Sequence, residues 1–347
     1  MALSVLFSRP KILRLKCLYN KEGSIRMKKS ILLWIIFVTF FISTAFPANS
    51  MAKSIRIAYL QNDIHQLACW VALEKGFYKK QNLDVEVAGI FKAGPEEMSA
   101  FAARELDAGY VGEAPATTAV ANRAAEVTVL AQVNTEGSAI VIRKDSTLRS
   151  IPELVGKMVA VPGHSTVQDF LLRKAIVKFG VNPKEVKIIV LKPPEMIGAL
   201  RTRQIHAFVA WEPYPAKAQT MGVGRVLASS REIWKEHPCC VLVVDSRFLK
   251  SSPKEAKALV RAHVMATDFI NNHPEEAVKI GVKYTGMDEK TVRLAMTNVN
   301  YTYTLSVEGE KEYVAFLSRL RYIEVDDVQA FVNKFINQEI LKESIKR

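Results

Sequence analysis

The chain has 347 residues, 49% hydrophobic and 24% charged, an ordinary globular composition with room for two domains of common size. Its 48 Lys and Arg against 35 Asp and Glu give a formal charge of +13, but residues 1–52 hold eight of the bases and a single acid, Glu22. The rest carries 40 bases against 34 acids, a modest excess without a basic stripe or interleaved aromatic platform, which argues against nucleic-acid binding.

In chain order, Lys28 and Lys29 precede an apolar run from Ile31 to Phe46 that is short for a membrane span. With Ser50-Met51-Ala52 as the cleavage site, this reads as a secretory signal peptide. Met27 stands where such a peptide normally begins, and residues 1–26 form a basic lead before it. The mature chain is expected to begin near Lys53 and to be extracytoplasmic. No Cys stands at the cleavage site, so no lipid anchor is indicated. Three cysteines remain, Cys69, Cys239 and Cys240, an odd number that leaves at least one outside any intrachain disulfide.

Beyond the signal, short β-like runs alternate with amphipathic helices. Ser54 to Tyr59 leads into a helix over Gln66 to Lys80. Leu83 to Ala88 leads into Glu96 to Arg104, and Asp107 to Val111 into Pro115 to Ala125; Val127 to Val133 follows. This βαβ series predicts a mainly parallel sheet with helices on its faces. A second series begins after Arg143, with a connecting helix over Leu148 to Val155 and strands at Met158 to Val161, Val186 to Leu191, Ala207 to Ala210, Arg225 to Leu227 and Val241 to Val244. Its helices span Val167 to Phe179, Glu195 to Arg203 and Tyr214 to Met221. From Ser252 the pattern is helical: Pro253 to Asn272, Pro274 to Thr285, Asp288 to Asn298, Val307 to Leu320 and Asp326 to Glu343.

Two α/β units without a flexible linker suggest lobes joined by crossovers, at Asn134 to Arg143 and Pro238 to Ser246. The expected division is 1–52 lead, 53–140 and 246–347 lobe one, and 141–245 lobe two, with a binding site between the lobes. The expected class is α/β, a two-lobe arrangement with hinge crossovers and a helical C-terminal region.

Three helix starts follow directly on strands: Gln61 to Gln66, Gly112 to Thr117 and Gly163 to Gln168. Helix N-termini present unpaired N–H groups and a partial positive charge, which suits an anion. Candidate ligand contacts are therefore Gln61 and His65; Gly112, Glu113, Ala114 and Thr117; and Gly163, His164, Ser165 and Thr166. Asn134 and Ser138 at the first crossover, and Trp211 and Glu212 after the opposite strand, complete the set. Any one of these helix starts is equally explained by ordinary capping. Glu113 and Glu212 repel a bare anion and so favour a ligand that also carries an amine, while Trp211 suits an apolar or planar part. No HExxH, GxSxG or Gly-rich phosphate loop is present. His237-Pro238-Cys239-Cys240 reads as hinge packing, with a vicinal disulfide or a metal site as the alternatives.

The stretches IRIAYL, ALEKGFYKKQNLDVEV, AGPEEMSAFAARELDAGYVGEAPA, IPELVGKMVAVPGHSTVQDFLLRKAI and AFVAWEPYPAKA resemble the solute-binding proteins of nitrate, sulfonate and taurine ABC importers. That broader family also includes binders of a thiamine pyrimidine precursor. The resemblance implies a periplasmic-binding-protein fold of type II, no enzymatic activity, no cofactor and no metal. It further implies capture of a small organic anion or zwitterion, such as an aliphatic sulfonate or taurine, and delivery to an ABC permease with its ATPase, with the chain acting as a monomer. The alternatives are a heterocycle binder and, at greater distance, a pyrimidine-synthase-like enzyme.

Overall fold

The computed structural model describes residues 54–346; the expected signal peptide lies outside the described residues. Among the described residues, eleven strands form two sheets. The first contains β1 (Ile55–Leu60), β2 (Val85–Phe91), β3 (Ala108–Gly112), β4 (Val127–Glu136), β10 (Pro238–Asp245) and β11 (Val299–Tyr301), in the order β11-β4-β10-β3-β1-β2. The second contains β5 (Ser138–Arg143), β6 (Met158–Val161), β7 (Lys187–Val190), β8 (Ala207–Trp211) and β9 (Gly224–Ser229), in the order β7-β6-β8-β5-β9.

Each sheet is mixed. β1 runs parallel to β2 and β3, and β6 runs parallel to β7 and β8. The strands that arrive from the other lobe are antiparallel: β10 against β3 and β4, and β5 against β8 and β9. The chain leaves the first sheet at Glu136 and enters the second at Ser138, with Gly137 between them at φ +83°. It returns between β9 and β10. The strands thus place Ser138 onward in the second sheet and Pro238 onward in the first, a few residues before the expected borders at 141 and 246. Central strands β3, β4, β8 and β10 are buried along their whole length, so β3, β8 and β10 read as nearly continuous apolar runs rather than alternating ones, while β4 also buries Thr128, Gln132, Asn134, Thr135 and Glu136.

Several helix bounds coincide with prolines read from the sequence. Pro253–Asn272 and Pro274–Thr285 both start on Pro, where the missing N–H costs nothing. Two expected helices are broken. The segment from Gln66 to Lys80 becomes Leu67–Glu74 and Phe77–Lys80, separated by Gly76 at φ +65°. Asp326 to Glu343 becomes Val328–Phe335 and Gln338–Ile345, because Ile336 turns extended to bridge Val129 and Asn337 caps the second piece. The connecting helix at Leu148 to Val155 is a single 3-10 turn over Ile151–Leu154.

Candidate functional site

The ends of β1, β3, β6, β8 and β10 converge on one pocket between the two sheets. It is lined by Leu60, Asp63, His65, Gly94, Gly112, Pro115, Thr166, Val167, Gln168, Trp211, Cys239 and Cys240, and encloses about 270 Å³ including its open mouth, of which only about 10 Å³ admits the centre of a water molecule. This is the crevice beyond the strand ends where open α/β sheets take ligands. The pocket is narrow: a Cβ on Gly112 would come within 3.4 Å of Val167 Cγ2 on the opposite wall. Contacts across the cleft hold the walls together on both sides. Ile64 N donates to the Glu212 carbonyl at 3.2 Å, Lys217 pairs with Asp288 at 2.8 Å and Tyr322 Oη donates to Asp169 at 3.1 Å. Lys174 pairs with Glu312, and Lys192 with Glu96.

Two helix N-termini face each other here. The Glu113–Ala121 helix starts from Gly112 in the first sheet, and the Val167–Lys178 helix from Thr166 in the second. The first N–H groups of a helix lack partners within it. In the second helix Thr166 Oγ1 accepts from Asp169 N at 3.2 Å, which leaves the N–H groups of Val167 and Gln168 toward the pocket. In the first helix the third residue is Pro115, so Glu113 and Ala114 supply the free N–H groups. Trp211 adds a side-chain donor: its indole is 3% exposed, and Nε1 has no hydrogen-bond partner. A buried donor without a partner is costly unless a ligand or water supplies an acceptor.

The floor is formed by Asp63, His65, Cys239 and Cys240, all buried. His65 Nε2 lies 2.9 Å from the Gly137 carbonyl, and Nδ1 lies 3.5 Å from Cys239 Sγ and 3.7 Å from Cys240 Sγ. Asp63 accepts from His65 N at 3.0 Å and Gln66 Nε2 at 2.8 Å. Burial raises the Asp63 carboxyl to about 6, against the opposing pull of His65 and Gln66. Burial also pulls the His65 imidazole down, but Asp63 and the Cys239 sulfur outweigh it and bring it to about 9.

The residues singled out in the sequence are distributed over several places. His65, Gly112, Thr166 and Trp211 line the pocket. Glu113 does not. Its Oε2 accepts from Gln132 Nε2 at 3.1 Å, and its carboxyl is hydrogen-bonded to that of Glu310. Thr117 Oγ1 lies 2.8 Å from Glu310 Oε1, and Ala114 is buried in the same helix. Glu212 and Ser138 line a neighbouring, roomier cavity of about 580 Å³ including its open mouth, with Ser229, Arg231 and Asn298. There Glu212 accepts from Ala216 N at 3.0 Å and Asn298 Nδ2 at 2.7 Å. Asn134 Nδ2 donates to the Glu136 carbonyl at 3.2 Å. His164 and Ser165 lie on a surface depression beside Pro95 and Met98, and Gln61 is exposed. Gly163 accepts from Thr166 Oγ1 at 2.7 Å, fixing the turn before the helix. Asp63, Gln168 and the two cysteines were not among the candidates. Their convergence depends on chain segments roughly 70 to 175 residues apart, which no local pattern reports.

A cleft between two α/β lobes, crossed by two strands and walled by opposed helix starts, defines a two-lobe solute-binding protein of the type II periplasmic class. Residues 48–282 match the NMT1-like family, and the chain belongs to that family, within the superfamily of nitrate, sulfonate and taurine ABC-importer binding proteins. It is 30% identical over 192 residues to the taurine-binding periplasmic protein of Escherichia coli K12, a match covering 54% of this chain and 58% of that one. In fold it is similar to the nitrate-binding protein NrtA of Synechocystis PCC 6803 (TM-score 0.75, 18% identity, 84% of this chain and 88% of that one). It is also similar to the alkanesulfonate-binding protein SsuA of Xanthomonas axonopodis pv. citri bound to MOPS (TM-score 0.72, 17% identity, 82% and 98%). The fold is shared with periplasmic ligand-binding components of ABC import systems, which implies a permease and ATPase as partners.

Proposed function

We propose that the chain captures a small organic anion of the aliphatic sulfonate or taurine type and delivers it as a monomer to its permease. The observation that carries this reading is the unpartnered Trp211 Nε1–H in a pocket flanked by two helix N-termini. A tetrahedral oxyanion head offers several acceptors to donors arriving from both lobes, and the N-termini contribute partial positive charge. Leu60, Pro115 and Val167 supply an apolar wall for a short tail. Because the walls nearly touch, the ligand enters while the lobes are parted, and closure removes it from water. Periplasmic binding proteins close by such a hinge. The taurine and alkanesulfonate relatives support the ligand class.

Calorimetric titration with an alkanesulfonate series, taurine and nitrate tests the proposal. Sulfonates are expected to bind, with affinity rising over the first added methylenes. Trp211→Phe should weaken them roughly 10- to 100-fold, the equivalent of one hydrogen bond to a charged group of about 1.5–3 kcal/mol. Nitrate binding without sulfonate binding would overturn the sulfonate class, since nitrate has no tail for the apolar wall.

A further inference from the structure

We infer that the pocket floor is a binding site for a thiophilic divalent metal ion of the zinc type, held by His65, Cys239 and Cys240. This goes beyond anion capture and does not depend on it.

The three ligand atoms, one from each residue, all lie within 4.8 Å of one another, and all three side chains are buried. Tetrahedral zinc holds sulfur at about 2.3 Å and imidazole nitrogen at about 2.0–2.1 Å, which puts N and S atoms roughly 3.6 Å apart. His65 Nδ1 lies 3.5 Å from one Sγ and 3.7 Å from the other. An ion therefore fits with little movement of the ligands.

The backbone arrangement is specific to this spot. Neighbouring residues of a regular strand point to opposite faces, so Cys239 and Cys240 would ordinarily diverge. The pairing of β10 with β4 is irregular here, shifting register between Pro238 and Cys240 and again between Cys240 and Val241. Both sulfurs reach the same imidazole nitrogen as a result.

The surrounding groups are those a metal site needs. A carbonyl only accepts, so the 2.9 Å contact between His65 Nε2 and the Gly137 oxygen places a proton on Nε2; Nδ1 faces both thiols and lies 3.5 Å from Asp63 Oδ1, which favours the charged ring without an ion, and a bound ion takes the place of the Nδ1 proton. Outer partners of this kind orient metal-bound histidines. Gln66 Nε2 reaches Cys240 Sγ at 3.6 Å while held by Asp63 at 2.8 Å. Two thiolates neutralise a dication, which suits a buried position, and binding releases the thiol protons to solvent. All three ligands also line the pocket, so a fourth coordination position opens toward it.

The test uses the exported protein, kept reduced and stripped with a chelator. Addition of Co²⁺ should give one equivalent of tetrahedral d–d absorption together with a thiolate-to-cobalt charge-transfer band, and Zn²⁺ should displace both. Competition against a chromophoric chelator should show Cys239→Ser and Cys240→Ser each weakening Zn²⁺ by more than the 10- to 100-fold typical of losing an outer partner. Cys69→Ser, a buried thiol hydrogen-bonded by Tyr78, should leave affinity unchanged. Oxidation of the wild type to a vicinal disulfide should abolish the cobalt bands reversibly, and this readout needs no substitution to fold. Absent cobalt bands in the reduced wild type, or bands that survive both serine variants or the oxidation, would overturn the site.

Discussion

Replacing Glu310 by Gln should stabilise the protein increasingly as pH rises, which runs against the usual cost of altering a fully buried side chain. Glu113 and Glu310 are 1% and 0% exposed, and their carboxyls are hydrogen-bonded to each other, which requires a shared proton. Burial raises both: Glu113 to about 7, and Glu310 well above the ordinary range, the charge of Glu113 adding to the burial. The unfolded chain loses these protons near pH 4.3, so above that value the folded state binds more protons than the unfolded one. Stability therefore falls with pH by about 1.4 kcal/mol per unit for each of the two protons, until that proton is released. In Glu310→Gln the amide can hydrogen-bond the Glu113 carboxyl without a proton at position 310, and its oxygen can still accept from Thr117 Oγ1, now 2.8 Å away. The variant needs no proton there. Its stability advantage should grow by about 2.7 kcal/mol between pH 5 and pH 7. Urea unfolding of both proteins at each pH, with unchanged slopes, measures this difference. Parallel stability curves would refute the proton held at Glu310.

Other expectations concern the cleft and the crossover. At pH 5.5, where Glu113 is protonated, Glu113→Gln should change the affinities for taurine and the matching alkanesulfonate by the same factor, because the Glu113 side chain turns to Gln132 and Glu310 and not to the pocket; paired titrations check this. Lys174→Ala combined with Lys192→Ala removes two ion pairs that bridge the lobes and should weaken the ligand about 2- to 10-fold at low salt and less at high salt. Gly137→Ala should cost about 1–3 kcal/mol in urea unfolding, since φ there is +83° and the new Cβ would meet His65 Nε2 at 2.3 Å. Small-angle scattering should show compaction on ligand addition, and an unchanged profile at saturation would indicate lobes already closed.

Elements defined by local chemistry were legible in the sequence: the prolines that open Pro253–Asn272 and Pro274–Thr285, the Gly112-to-Pro115 helix start, and the two crossovers. What was hidden depended on distant partners. β11 is three residues long and exists because Val299–Tyr301 pairs with the end of β4. The break at Ile336 is set by Val129, some 200 residues away. Glu113 carries a sequence signature of a helix-start carboxylate, but its partner Glu310 lies on the Val307–Arg319 helix, so its role as half of a protonated pair could not be read locally. The same holds for His65 and the cysteines, whose meeting requires β10 to be threaded between β3 and β4.

The acids that once argued against an anion near this cleft lead to a final prediction. Burial raises Glu113 and Glu212 each to about 7, Gln132 and Glu310 opposing this at the first, and Ala216 N–H and Asn298 at the second. Near and below neutrality both carboxyls are largely protonated, so the field at the pocket is set mainly by the helix N-termini. As pH rises through 7 they ionise. A carboxylate at a separation of order 10 Å opposes an anion by roughly 1–2 kcal/mol at an effective dielectric of about 20. A simple alkanesulfonate keeps its charge throughout, so its affinity should fall roughly tenfold or more between pH 6 and pH 8, and binding should be accompanied by proton uptake. Calorimetry in buffers of different ionisation enthalpy measures both quantities. The double variant Glu113→Gln with Glu212→Gln should flatten the profile, its folding verified by circular dichroism. A wild-type affinity independent of pH, with no proton uptake, would mean that neither carboxyl senses the ligand.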